Sequence, residues 1–130
     1  MQWNKRSQFD PANVSFHPIA ARTKATTAPS LLAPWTINSL MSCTDCHDND
    51  AGPNAPTPGT GPSGPHGSNW KHLLAGRFDM DNSNTTESAA AYALCYKCHN
   101  RTIVLSSASC REHDRHIRDE NASCSICHDV

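Results

Sequence analysis

The sequence predicts a small, mainly α-helical domain with much irregular loop, in which apolar side chains alone do not fill the core. The first observation is length, because 130 residues make one domain rather than two. The second is composition, with 37% hydrophobic and 6% aromatic residues against 9 Pro and 6 Gly. A domain of this size normally buries about two thirds of the surface that its unfolded chain exposes. The third is an excess of seven Cys and eight His. Together these observations leave three alternatives: partial disorder, a disulfide framework, or a core completed from outside the polypeptide.

The elements follow from the pattern of prolines, glycines and apolar residues. Residues 1–40 are expected to be irregular and partly extended, because four prolines interrupt any helix there. Residues 51–69 hold most of the remaining Pro and Gly and are expected to form a long loop, ordered or disordered. Short helices are expected at 35–47, 69–76 and 109–119, and a polar turn at 81–86. The strongest predicted helix is the Ala-rich segment 87–100, with Thr85 or Thr86 as its N-cap.

Six of the seven Cys fall in three pairs with identical spacing, and a His follows each pair directly. We name the three segments the first, second and third motif: Cys43-Thr44-Asp45-Cys46-His47, Cys95-Tyr96-Lys97-Cys98-His99 and Cys124-Ser125-Ile126-Cys127-His128. The pattern C-x-x-C-H is the attachment signature of c-type haem. Its two thiols form thioethers with the two vinyl groups of one porphyrin, and the adjacent His supplies an axial nitrogen to iron. Three uninterrupted copies predict three covalently bound haems.

Other uses of Cys pairs fit the sequence less well. A structural zinc site takes pairs two at a time, so three pairs leave one over, and zinc does not require a His after every pair. A thioredoxin-like motif needs one pair that opens a helix in a βαβ unit, and no Val/Ile-rich strand precedes any pair here. A disulfide framework would leave the three His unexplained.

Three haems would take His47, His99 and His128 as proximal ligands, and six-coordinate iron needs three more. Five further His are available: His17, His66, His72, His113 and His116. An axial Met would raise the reduction potential, but Met41 is too close to Cys43 to reach the far face of that haem, and Met80 lies in a polar context. The remaining methionine is Met1. The sequence therefore predicts bis-His ligation and low potentials.

The sequence resembles the multihaem c-type cytochromes of metal-reducing bacteria that carry paired CXXCH motifs. Beside the three motifs, the resemblance rests on three short segments: Phe16-His17-Pro18, Gly64-Pro65-His66-Gly67-Ser68 and His113-Asp114-Arg115-His116-Ile117. It covers residues 13–129. It implies a small haem-cored domain spanning residues 1–130, with His17, His66 and one of His113 or His116 as distal ligands.

Of the last two, His116 is preferred because Ile117 gives its segment some apolar character, although His113 remains an alternative. His72 is expected to be a surface residue. The family often continues with Pro-His-Gly after its last motif, whereas this chain reads Asp129-Val130. The unpaired Cys110 is expected to be a buried free thiol, an intermolecular disulfide or a reactive thiol.

The resemblance implies an electron-transfer protein rather than an enzyme, located in the periplasm or at the cell surface. The implied partners are other cytochromes and reductases, extracellular metal oxides, or copies of the chain itself. The chain could also be a module of a larger cytochrome or of a filament. A haem enzyme or sensor with an open axial position is disfavoured, because the spare His outnumber the vacancies.

Charge and hydropathy exclude two further classes of partner. The balance of 11 Lys+Arg against 12 Asp+Glu gives no basic field for nucleic acid. No apolar run approaches the roughly 18 residues of a membrane-spanning helix. The first residues lack the apolar region of a signal peptide, so we expect the native precursor to carry one.

Overall fold

The computed structural model describes residues 4–78, 84–106 and 108–128, and its helices are all short. We label the α-helices α1 (Ala93–Tyr96), α2 (Arg101–Val104) and α3 (Cys124–Cys127). The other helical segments are 3-10 turns at Lys5–Phe9, Cys43–Asp45 and Lys71–Leu73 and a π-helical turn at Asp114–Asp119. Within these described ranges there is no β-strand, only isolated antiparallel bridges that join Leu31 to His99 and His47 to Leu74. The prediction of a small α-helical and loop domain is confirmed at this level.

The Ala-rich segment forms a much shorter helix than the sequence predicts. Tyr92 has φ −118° and ψ 36°, outside the helical region, and it is the residue that precedes α1. The Leu94 N–H then donates to the Arg77 carbonyl at 3.0 Å rather than to the carbonyl four residues back. A tertiary hydrogen bond thus overrides the high helix propensity of alanine. The prediction of one helix over 87–100, capped by Thr85 or Thr86, was wrong.

The other predicted helices are also reduced to single turns. In residues 35–47, the Met41 N–H donates to the Pro18 carbonyl at 2.9 Å instead of to a helical carbonyl. Only Cys43–Asp45 forms a helical turn there. In 69–76, His72 and Leu73 have φ of 62° and 55°, a left-handed conformation that a continuous α-helix does not contain. In 109–119, only Asp114–Asp119 is helical, as a π turn. The predicted polar turn at 81–86 lies partly outside the described residues. Met1 and Met80 are also outside them.

Residues 51–69 contain neither helix nor strand. This loop folds around the buried carboxylate of Asp48. Asp48 accepts hydrogen bonds from the backbone N–H of Asn49 and of Gly64, both at 2.7 Å, and from Asn54 Nδ2 at 2.8 Å. The hydrogen bond from Asn54 is the largest influence that holds the pKa of Asp48 below its usual value, and burial opposes it. Because Asp48 directly follows His47, the loop is anchored to the first motif.

The buried apolar surface of the described residues is small. Its members are mostly small or single side chains: Ala55, Leu74, Ala75, Ala91, Tyr92 and Ile117. The Tyr92 ring packs at 6.5 Å from Phe78 and at 6.4 Å from Tyr96, measured between centroids. Several large apolar side chains are instead exposed: Val14, Leu40, Trp70, Leu73 and Ile126. The side chains alone therefore build only a small core, as the composition predicts.

The partly buried Glu87 side chain links α1 to α2 through Tyr96 and Arg101. The Glu87 side chain is only 7% exposed and accepts hydrogen bonds from Arg101 Nε and Nη2 at 2.8 and 2.6 Å. It also accepts a hydrogen bond from the Tyr96 hydroxyl at 2.9 Å. The hydrogen bonds from Arg101 are the largest influence that lowers the pKa of Glu87.

We expect Glu87→Gln to lower the free energy of unfolding by about 1–3 kcal/mol, because a charged and a neutral donor lose their anionic acceptor. Since the folded-state pKa of Glu87 is depressed, its contribution is complete above the unfolded-state pKa and disappears as pH falls through the folded-state value. Denaturant unfolding at pH 7 and at a pH below 4 measures both effects. Glu112→Gln is the control, because Glu112 lies 3.9 Å from Arg111 on the surface and should contribute almost nothing. Equal losses in the two variants would contradict the assignment.

Candidate haem-binding sites

The three motifs adopt the same local backbone turn. The N–H of each motif His donates to the carbonyl of the first Cys of its motif, four residues back. The distances are 2.8 Å for His47 to Cys43, 3.0 Å for His99 to Cys95 and 2.9 Å for His128 to Cys124. In a helical turn, positions i, i+3 and i+4 share one face. The turn therefore places both thiols and the imidazole of a motif on the same side.

The Nδ1 atom of each motif His already has a partner from a distant part of the chain. These contacts are His47 Nδ1 to the His72 carbonyl at 2.7 Å, His99 Nδ1 to Ser30 Oγ at 3.1 Å and His128 Nδ1 to Ser15 Oγ at 3.3 Å. A carbonyl oxygen only accepts, so the His47 tautomer carries its proton on Nδ1 and leaves Nε2 with a lone pair. Metal-ligating His typically show this arrangement, in which the second nitrogen is held by a carbonyl or another polar group. The sequence alone did not identify these partners.

The second motif is in direct contact with the first. Lys97 Nζ, inside the second motif, donates to the Asp45 carbonyl of the first motif at 2.7 Å. The Cys46 thiol is also close to Cys98: burial raises the pKa of Cys46, and the charge that Cys98 would carry raises it further. Two motifs whose contacting residues are 52 positions apart in sequence are thus joined.

The second motif also contacts the third. The Cys95 and Cys124 thiols are close enough to interact, and this interaction raises the pKa of Cys95 and lowers that of Cys124. None of the seven Cys, all of which fall within the described residues, forms a disulfide. The second motif therefore lies between the other two in space, as it does in sequence.

Exposed apolar side chains lie beside the first and third motifs. Trp70 and Leu73 are exposed on either side of His72, whose carbonyl holds His47. Ile126 is exposed inside the third motif, and Val14, fully exposed, precedes the Ser15 that contacts His128. Large apolar side chains gain free energy when covered, so this distribution, together with the paired thiols and the motif imidazoles, fits large flat apolar groups at these positions. Within the described residues, no group of three or more His, Cys, Asp or Glu is placed to hold a metal ion.

His17, predicted as a distal ligand, lies near two of the motif His. Burial lowers the pKa of His17, and the positive charge of His128 lowers it further. Burial likewise lowers the pKa of His99, with the charges of His17 and His128 acting in the same direction. The structure therefore brings this sequence-predicted residue to the second and third motifs.

His66, the second predicted distal ligand, lies in the loop that follows the first motif, and its side chain is exposed. Its segment is held there because Asn49 Nδ2 donates to the Gly67 carbonyl at 2.8 Å. Gly64 has φ +94°, a conformation open to Gly, and the His66 ring lies against it. No hydrogen bond to the His66 ring is found among the described residues, and its ligation stays a prediction.

The two alternatives for the last distal ligand lie in different surroundings. The His113 ring centroid is 6.1 Å from that of His128, with 70° between the ring planes. His116 is exposed, because the π turn directs the neighbouring Ile117 into the interior. The sequence preferred His116 on account of Ile117; that preference stays a prediction, and the arrangement favours His113. Ser109, four residues before His113, is a sequence signal that could have pointed to it.

The remaining candidates are on the surface. His72 and Cys110 are both exposed. In the described part of the chain, no helix is long and apolar enough to span a membrane. Comparisons with protein-family models, with curated proteins and with solved structures find no match for this chain.

Proposed function

We propose that the protein is a triheme c-type cytochrome that transfers electrons outside the cytoplasm. The observation that carries the proposal is the threefold repetition of one arrangement: a helical turn with two unbonded thiols and a His whose Nδ1 is held by a distant residue. A coincidence of spacing would not produce the same hydrogen-bonded geometry three times at sites that are distant in the chain.

The Cys and His residues of each motif would together hold one haem. The two Cys of a motif attach it covalently, and the motif His binds its iron through Nε2. The proposed distal ligands are His17, His66 and one of His113 or His116. A haem held by these residues would supply a centre that accepts and releases one electron. The His72 carbonyl and the Ser30 and Ser15 hydroxyls orient the motif imidazoles.

The contacts between motifs support a fixed order of redox centres. The second motif contacts Asp45 of the first and Cys124 of the third, so electrons would pass from one end to the other through the centre at Cys95 and Cys98. With His rather than Met as axial ligands, the potentials would be low. The proposed partners are other cytochromes and reductases, extracellular metal oxides, or further copies of the chain in a larger assembly.

The number of haems tests the proposal directly. Produced in a host with a c-type haem maturation system, the chain should have the mass of the polypeptide plus three haems. A pyridine haemochrome assay should give the same ratio. A mass below that of the reduced chain, without iron, would instead indicate disulfides such as Cys95–Cys124 and would contradict the proposal.

The coordination of the iron separates electron transfer from substrate chemistry. The ferric protein should be entirely low-spin, and the ferrous protein should not bind carbon monoxide without denaturation, because both axial positions of each iron are filled. A high-spin signal in the unaltered protein, or ready binding of carbon monoxide, would favour an enzyme or sensor with an open axial position.

A further inference from the structure

We propose that His113, and not His116, is the sixth ligand of the haem iron bound by His128. The inference rests on the proposed function and deepens it, because it assigns the axial pair at the third motif. It follows from the placement of His113 and His128 relative to each other, from the hydrogen bonds that orient both rings, and from the exposure of His116.

The first argument is the separation of the two rings. Metal–nitrogen bonds to His are about 2 Å long, and Nε2 lies about 1 Å from the centre of its ring. Two imidazoles on opposite sides of one iron therefore have centroids about 6 Å apart. The His113 and His128 centroids are 6.1 Å apart, so the pair already has the spacing that shared coordination requires. The 70° between the ring planes is compatible with axial ligation, since rotation about the axis leaves both bonds unchanged.

The second argument is that His113 is oriented in the same way as the three motif His. Its Nδ1 lies 3.2 Å from the Val104 carbonyl and 3.2 Å from Ser109 Oγ. The carbonyl accepts a proton from Nδ1, so Nε2 is the nitrogen left for a metal. His113 is half-buried, which adds to the fixed orientation of the ring.

The third argument concerns His116. Its side chain is exposed, and the structure places no hydrogen bond on its ring among the described residues. Its backbone is fixed, since His116 N–H donates to the Glu112 carbonyl and the His116 carbonyl accepts from Ala122 N–H. The same turn buries the neighbouring Ile117 and leaves His116 on the outside.

An edge-to-face contact between two rings also occurs at centroid distances of 4.5–7 Å without any metal. The test therefore needs a signal that only coordination changes. In the haem-loaded protein we expect His113→Gly to convert about one third of the low-spin ferric signal to high-spin, because one of three irons loses its sixth ligand. The matched variant His116→Gly should remain fully low-spin. Electron paramagnetic resonance and visible spectra measure both.

Free imidazole and a second variant separate coordination from folding. Millimolar imidazole should restore the low-spin signal of His113→Gly. In His113→Met, one haem of three should keep a low-spin iron but acquire a sulfur-to-iron charge-transfer band and a higher potential. A folded His113→Met protein with three haems and neither change would overturn the assignment, as would a loss in His116→Gly equal to or larger than that in His113→Gly.

Removal of the third haem identifies which iron is affected. In the Cys124→Ala/Cys127→Ala background, His113→Gly should remove no further low-spin signal. A further loss would place His113 on another iron and overturn the inference. Failure of the proposed function itself would be visible earlier, as a haem count other than three in the unaltered chain.

Discussion

The double variant Cys95→Ala/Cys98→Ala is expected to lose one haem and to unfold about 10–20 °C below the unaltered holoprotein. The second motif contacts the first through Lys97 and the third through Cys95. Loss of its haem would therefore leave a void between two sites rather than at an edge. Cavities at the centre of a structure that cannot collapse carry the largest losses of stability. Intact mass gives the haem count, and circular dichroism on heating gives the midpoint.

Two controls sharpen this expectation. Cys110→Ala should keep three haems and the original midpoint, because Cys110 is exposed and lies outside the motifs. Cys124→Ala/Cys127→Ala should also lose one haem, but with a smaller fall in midpoint. The third motif contacts one other motif, the second, among the described residues, whereas the second motif contacts both others. A larger fall for the third motif than for the second would contradict the central position of the second.

The second large expectation concerns the chain without any haem. A variant in which all six motif Cys are Ala should show no cooperative unfolding transition, and its amide hydrogens should exchange with protection factors on the order of 10 or less. The described residues bury few large apolar side chains, and their helices are single turns. Isolated helices shorter than about 12 residues are marginal in water, so the described residues offer too little apolar burial and helix stability to offset the entropy of ordering the chain.

Hydrogen exchange and denaturant unfolding measure this directly. The holoprotein should show strong protection around His47, His99 and His128, where backbone hydrogen bonds close each turn. A sigmoidal transition in the six-Ala variant, with a denaturant dependence expected for 130 residues, would show that the polypeptide folds on its own. The idea that the haems complete the core would then be wrong.

The sequence alone was sufficient for the coarse class of fold, and it selects the motif residues as the candidate site. The identical spacing of Cys and His selects them without any tertiary information, and the low apolar content predicts the thin core. The helix bounds could not be predicted, because the Leu94 N–H donates to the Arg77 carbonyl and the Met41 N–H donates to the Pro18 carbonyl. These are tertiary hydrogen bonds, which local propensity does not contain.

The partners of the motif imidazoles were equally beyond sequence reasoning. Ser15 and Ser30 are ordinary residues in a Pro-rich segment, and the His72 carbonyl carries no side-chain signal at all. The choice between His113 and His116 depends on which way one turn faces, and the sequence spacing of three leaves both on one helical face. The π turn gives the two residues different surroundings, because it directs Ile117 inward and leaves His116 exposed.

The hydrogen bond between Ser15 and His128 has a consequence for the order in which the chain folds. It joins positions 113 residues apart, and the Ser30–His99 bond joins positions 69 apart. Contacts of such separation form late, because the loop between them must close first. The second and third motifs therefore remain open until late in folding, and their thiols stay accessible until then. The Ser15–His128 contact in particular needs nearly the whole chain to be present before it can close.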